Sequence, residues 1–497
     1  MSTRKRVMQG LWMSLLGLSV VLLVRTFAGG SRQVEVALDA ESPPLVMNAN
    51  AAAARLGEAI RFRTISSRDA AVFDRAPFGA LLDWFEAEFP AVYIDLRAER
   101  REGPSLLLHW PGQDLSLPAG IFMAHLDVVP VEPGTEGDWE HPPFAGVVAD
   151  GHVWGRGALD VKSGAVALHE AITLLRALDF QPQRSLWFVF GHDEEIGGAE
   201  GALPIAQWME ERGQSIAFVV DEGGFVLDGV FPELGGRPLA MVDIAEKGYA
   251  TVHLSVRGEG GHSSVPPPST SVGRLAAALA RLEAEPFPLE FSDPVRRQFE
   301  YLAPEMPFAQ RLVMSNLWLF GGLVKRQLAA DPKTNAMVRT TTAVTVMSGG
   351  VQENVVPQQA QASVNFRMLP GTDENDVLAH VRRVIADEEV ELTLGTVTHP
   401  PAPAEVEGPV FEGIARAVRA VYDDAVVVPA LLYGATDSRH YGLLTNNVYR
   451  FHGMRLPVED VSGFHGTNER VQVDSYARAI EILARMMIEL GGADGEA

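Results

Sequence analysis

The chain of 497 residues contains no cysteine. Neither a disulfide framework nor a thiolate-held metal is therefore available, and any metal must be bound by His, Asp or Glu. Basic residues are also scarce, with 41 Lys and Arg against 64 Asp and Glu and a formal charge of −23. Nonspecific nucleic-acid binding needs clustered cations for the phosphates, so no nucleic-acid partner is expected. Internal repeats and low-complexity tracts are missing too. An apolar share of 47% is that of a globular protein, and the length suffices for two or three domains with a large core.

At the N-terminus, Arg4, Lys5 and Arg6 precede a charge-free run from Val7 to Val24, about long enough to span a bilayer. Basic residues ahead of a span predict a cytoplasmic N-terminus. The rival is a cleaved secretory signal, with Leu11 to Val24 as its core and Thr26-Phe27-Ala28 at its cleavage site. Residues 1–30 are thus a signal anchor or a signal peptide. Either way the catalytic part is expected outside the cytoplasm, anchored to the membrane or secreted.

After a connector from about Gly29 to Asn48, helical patterning begins at Ala51–Phe62 and returns at Phe78–Phe89. Short apolar runs bounded by Gly and Pro then read as buried strands: Ser105–Trp110, Gly120–Ala124, Ser185–Phe190 and Ile216–Val220. They alternate with helical stretches at Ser163–Leu178 and Leu203–Arg212. This alternation predicts an α/β fold with a mostly parallel sheet. Beyond Lys247 the pattern changes to half-exposed strands at Ala250–Val256 and Ala362–Met368 around a helix at Gly273–Glu283, the signature of an inserted α+β domain. The expected division is 31–246 with 399–497 for the catalytic domain and 247–398 for a lid or dimerisation domain. Residues 286–342, including Met314–Leu323, follow no clear period; a packing insertion and a substrate-facing wall are both open readings.

Functional residues of such sheets collect beyond the carboxyl ends of the strands. His125 and Asp127 follow one strand, His192 to Glu195 the next, and Asp221 with Glu222 a third. His125 and Asp127, two apart, point to the same side of extended backbone, where the carboxylate can orient a metal-bound imidazole. A Gly-rich turn at 155–157 delivers Asp160 ahead of the helix, which Ser163 is expected to cap. Asp193, Glu194 and Glu195 are three consecutive acids that repel one another unless solvated or bound to a cation; as a metal site they supply one ligand and one general base. In combination, His125, Asp160, Glu195, Glu222 and His465 offer two metals a shell of imidazoles and carboxylates with one carboxylate shared. Such ligands suit zinc, with cobalt or manganese as alternatives.

The ordered set HLD at 125–127, GRGALDVKSG at 155–164, DEEIGG at 193–198, DEGG at 221–224 and GGHSS at 260–264 resembles the M20 metallopeptidases. ENVVP at 353–357, TDSR at 436–439 and FHGTNE at 464–469 extend the resemblance over essentially everything after residue 50. The insertion before ENVVP, WEHPPFAG at 139–146 and the N-terminal segment are most similar to the carboxypeptidase S branch, which includes secreted enzymes that make and hydrolyse N-fatty-acyl amino acids. The resemblance implies two zinc ions bridged by Asp160, one completed by His125 and Glu222 and the other by Glu195 and His465. It implies Glu194 as general base and Asp127 as the residue that orients His125, with Asp221 the rival to Glu222. It further implies that His262 stabilises the oxyanion, often in the site of a partner subunit of a homodimer. Asn354 and Arg367 would line the site, and Arg439 would clamp the carboxylate of a peptide or small-molecule substrate. The expected reaction is hydrolysis of an amide or peptide bond that releases an amino acid with a free carboxylate, in a direction the sequence leaves open. A small-pocket dipeptidase or aminoacylase, and a noncatalytic receptor for amino-acid conjugates, are the alternatives.

Overall fold

The computed structural model describes residues 3–36, 45, 47–69, 71–101 and 103–492. Residues 37–44 and 46 of the connector expected before Asn48 lie outside them. The core is an eight-stranded sheet in the order Arg97–Arg100, Leu106–Trp110, Leu186–Gly191, Ala119–His125, Ile216–Asp228, Val448–Pro457, Leu239–Glu246, Val426–Leu432. Ala119–His125 runs parallel to both neighbours, as Val448–Pro457 does to Ile216–Asp228 and Val426–Leu432 to Leu239–Glu246. Every residue of Ala119–His125 and of Leu186–Gly191 is buried. Strands covered on both faces must be apolar throughout, which is why they read as unbroken runs rather than alternating ones. Helices Ala49–Ile60, Lys162–Ala177 and Val473–Gly491 cover one face, and Ala202–Glu211 packs on the other.

A second, antiparallel sheet has the order Thr341–Gly349, Gln359–Met368, Gly248–Arg257, Val390–Thr398. Alternate residues of Gln359–Met368 and Gly248–Arg257 are buried under helices Ser271–Ala284 and Glu374–Ile385, leaving the other face to solvent. The stretch without a clear period resolves into short helices, Asp293–Leu302, Phe308–Ser315, Leu317–Leu328 and Pro332–Met337. They pack against Leu431 of the main sheet.

Two local expectations are corrected. Ser163 does not cap its helix, which begins at Lys162 with Val161 before it. The Ser163 N–H already donates to the Gly157 carbonyl, and the buried Lys162 ammonium ties this end to the carbonyls of Ala59 and Phe62. Asp221 and Glu222 do not follow their strand but lie within it. Arg450 pairs with Asp221 and Phe451 with Gly224, so Glu222 and Gly223 bulge from the ladder. Gly223 has φ of 137°, and a Cβ there would come within 2.7 Å of the Arg450 Cβ, so the bulge that turns Glu222 toward its neighbours requires glycine.

Candidate metal centre

Three adjacent strands, Leu186–Gly191, Ala119–His125 and Ile216–Asp228, bring together residues far apart in sequence. His125 ends the middle strand, Glu194 and Glu195 lie in the turn after the first, and Glu222 projects from the bulge of the third. Asp160 and His465 arrive on loops. His125 Nε2 lies 3.0 Å from Asp160 Oδ1 and 3.1 Å from Glu222 Oε1. His465 Nε2 lies 2.9 Å from Asp160 Oδ2 and 3.2 Å from Glu195 Oε2. Asp160 therefore turns one oxygen to each imidazole, and Glu194 lies within the same cluster as His125 and Glu222.

The surrounding contacts fix these side chains. His125 Nδ1 faces the Asp127 backbone carbonyl at 2.9 Å and the Asp127 carboxylate at 3.3 Å. That carboxylate also accepts the backbone N–H groups of Glu194 and Glu195, each at 3.1 Å, and the Ser66 hydroxyl at 2.6 Å. Asp127 thus sets the turn that carries both glutamates as well as the His125 ring. Asp193, the first acid of that run, faces away and accepts the N–H groups of Glu200 and Gly201. Asp221 is likewise engaged elsewhere, accepting the Ser438 N–H at 2.8 Å, so Glu222 is the member of this pair that reaches His125. His465 has φ of 55°, an uncommon conformation for a residue with a Cβ.

Four half-buried carboxylates gathered with the buried His125 and the exposed His465 fit a bound cation. Burial pushes the carboxyls of Glu194 and Glu195 above the ordinary range and that of Glu222 to about 8. Against a desolvation that would raise it, Asp160 is held below that range by hydrogen bonds to His125 and His465. Hydrogen bonds to Asp160 and Glu195 push His465 up to about 10. Glu195 Oε1 is buried without a hydrogen-bond partner. Positive charge placed between these imidazoles and their acids would relieve the repulsion and engage that oxygen.

The residues expected from the inserted segment stand apart from this cluster. His262 is exposed on a two-residue strand paired with Val355–Val356, its Nδ1 2.7 Å from the Ser264 hydroxyl. The Asn354 carbonyl accepts the Ser263 N–H beside it. Arg367 lies over the Tyr249 ring on the second sheet. Arg439 is half-buried beside the turn that carries Glu194, 3.9 Å from where a Cβ on Gly197 would lie, and makes no ion pair among the described residues. His452 packs against Phe225, and His141, His169 and His253 against Trp154, Phe85 and Ser363.

One residue given no role in the sequence holds the centre together. Glu469 is fully buried; its Oε1 accepts the backbone N–H groups of Gly157, Leu159 and Asp160, and its Oε2 accepts from Arg156 at 2.6 Å. Both partners stand inside motifs quoted above, which was the available signal. Ser66 offered none, because its contact with Asp127 spans 61 residues.

A cavity of roughly 370 Å³ opens at Asp160, Glu194, Glu195, Glu222 and His465, and its walls include Phe225, Leu227, Met241, Leu431 and Phe464. A mostly parallel sheet that delivers imidazoles and carboxylates to one face of a cavity defines a metallohydrolase class. The chain belongs to peptidase family M20/M25/M40, whose model matches residues 121–489. It is 38% identical over 427 residues to the N-fatty-acyl-amino acid synthase/hydrolase of Bos taurus, covering 85% of this chain and 83% of that one. Carboxypeptidase S of Saccharomyces cerevisiae is 28% identical over 456 residues, covering 83% and 78%. The M20 family metallo-carboxypeptidase Sso-CP2 from Sulfolobus solfataricus shares the fold, with a TM-score of 0.62 at 20% identity over 88% of this chain and 99% of that one. The protein is accordingly an enzyme of the metallopeptidase class that hydrolyses an amide or peptide bond and releases an amino acid.

Proposed function

We propose that the substrate is an amino acid with a free carboxylate whose nitrogen carries an apolar acyl group, cleaved with two zinc ions per subunit. The observation that carries this reading is the apolar cavity bordering the acid and imidazole cluster, since an acyl chain gains about 0.8 kcal/mol per buried methylene. The name of the Bos taurus relative points to the same N-acyl chemistry, and that of the yeast relative to a carboxypeptidase. His125 and Glu222 would hold one metal, Glu195 and His465 the other, with Asp160 between them; cobalt or manganese would fit the same donors.

Bound there, the two cations would lower the pKa of water and polarise the substrate carbonyl. Glu194 takes a proton from the attacking water as its oxygen bonds to the carbonyl carbon, then delivers that proton to the nitrogen as the C–N bond breaks. Asp127 keeps Glu194 and the His125 ring in position. Arg439 binds the substrate carboxylate in the bidentate geometry that suits a guanidinium. His262 stabilises the oxyanion from the lid and dimerisation segment, 247–398, of a partner subunit, with Asn354 and Arg367 near it. Residues 31–246 and 399–497 would form the catalytic domain. Residues 1–30 would anchor it with the catalytic part outside the cytoplasm.

Metal analysis with a substrate panel tests the reading. Long-chain N-acyl amino acids should be cleaved faster than dipeptides, and Arg439→Ala should chiefly impair substrates with a free acid. Preference for dipeptides would favour the small-pocket reading, and equal proportional losses on acid and amide-blocked substrates would make Arg439 structural.

A further inference from the structure

The geometry points to helices Phe308–Ser315 and Leu317–Leu328 as a second membrane contact, lying in the interface of the bilayer that the N-terminal helix enters. This rests on the reading of that helix as an anchor. Helix Thr3–Ala28 carries an apolar stretch from Met8 to Ala28 that is almost wholly exposed, with the length of a span. Its end does not swing free of the body. Thr26 is buried, its carbonyl accepts Arg311 Nε at 2.8 Å and its hydroxyl accepts Asn316 Nδ2 at 3.2 Å, while Phe27 stacks on Phe308 at 5.9 Å. Wherever the span leaves the bilayer, these two helices are held at the same level.

Their composition suits that level. From Met306 to Ala330 there is no acidic residue in a chain of net charge −23. Phe308, Trp318, Leu319 and Leu323 are exposed, Leu323 by 65%, and none of the residues of Phe308–Ser315 is buried. Trp318 also borders a cleft of roughly 340 Å³ at the same junction, into which Arg25, Arg32 and Arg296 face beside the single acid Glu300. Arg32 shares its charge with Glu407 and Lys325 donates to the Leu289 carbonyl, whereas Arg326 adds an exposed cation at the far end of the second helix. An apolar helical face with an interfacial tryptophan and flanking cations is the pattern of a helix lying in the headgroup region. Negatively charged lipid headgroups complement the cations.

The position has a consequence for the site. Leu317, Leu328 and Met314 pack with Leu431 in one cluster, and Leu431 also lines the catalytic cavity. A bilayer under these helices would therefore lie one helix layer behind the cavity wall.

The absence of cysteine makes single labels clean. Leu319→Cys, Leu323→Cys, Val20→Cys in the span and Ile94→Cys on an exposed helix remote in sequence would each carry a nitroxide, in the full chain reconstituted into vesicles of phosphatidylcholine with phosphatidylglycerol. Labels at 319 and 323 should lose accessibility to a water-soluble nickel chelate relative to Ile94 and gain it to oxygen, as Val20 does. An aqueous label at 319 and 323 with a protected Val20 overturns the docking and leaves the anchor. An aqueous Val20 overturns the anchor and the docking together. Protection with label–label broadening that vanishes on dilution by unlabelled protein assigns the face to a second copy, and overturns the proposal as well.

Discussion

Glu469 holds Asp160 through the backbone, accepting its N–H at 3.1 Å while the same oxygen accepts those of Gly157 and Leu159. A carboxylate that turns one oxygen to each of two imidazoles must not rotate with its loop, and this contact fixes the loop from a residue 309 positions later.

Glu469→Ala would leave the Arg156 guanidinium only the His465 carbonyl and take the acceptor from three N–H groups. Loss of one partner of a buried ion pair costs about 3–5 kcal/mol, so the melting temperature should fall steeply and metal content with it. Glu469→Gln retains an oxygen for the three donors and should recover most of the metal. Metal analysis beside thermal unfolding separates the two, and full metal occupancy in a folded Ala variant would show that the loop holds Asp160 unaided.

Glu194 and Glu195 are adjacent and chemically identical, and both lie near His125, yet the cluster gives them different further neighbours: Glu195 faces His465 and groups with Asp160, Glu194 groups with Glu222. Glu195→Gln should lower metal occupancy together with activity. Glu194→Gln should keep the metal while the rate falls roughly 10²- to 10⁴-fold, the usual cost of losing a general base. Metal loss in the second variant and retention in the first would reverse the two assignments.

His262 lies on an exposed ribbon outside the cavity lining. His262→Ala should depress turnover without changing metal content. If the residue acts across a dimer, mixing this variant with Glu194→Gln should restore part of the activity, because one of the mixed sites has both groups intact. Verified heterodimers with no recovery would remove that role.

Lys247 offers a pH test remote from the metal ligands. Burial, reinforced by the nearby charge of Arg367, pushes its ammonium down to about 7, though it donates to the carbonyls of Ala336 and Arg339. Between that value and the 10.5 of an unperturbed lysine, the unfolded chain binds more protons, so this group makes stability rise with pH. The difference in unfolding free energy between the wild type and Lys247→Met should grow from neutral pH upward, by at most about 1.4 kcal/mol per pH unit. A difference flat in pH, measured by denaturant titration, would mean that Lys247 keeps its charge at an ordinary pKa.

The sequence by itself determined which atoms could bind a metal, because the lack of cysteine left only imidazoles and carboxylates. It also determined the central strands, since a strand buried on both faces must be an unbroken apolar run, as in Ile121 to Ala124. It could not say which way each acid turns. Asp193, Glu194 and Glu195 look alike in sequence; the N–H groups of Glu200 and Gly201 draw the first away, and the Asp127 carboxylate fixes the turn of the other two. Glu222 was chosen over Asp221 by a bulge that arises from register with Val448–Pro457, a pairing more than two hundred residues distant. The helices from 293 to 337 escaped periodicity for a related reason. Asp293–Leu302 does bury one stripe, with Val295, Gln298, Phe299 and Leu302, but the three helices after it are short, with faces divided between the N-terminal helix, the main sheet and an open surface, and only the tertiary arrangement decides which side of each is covered.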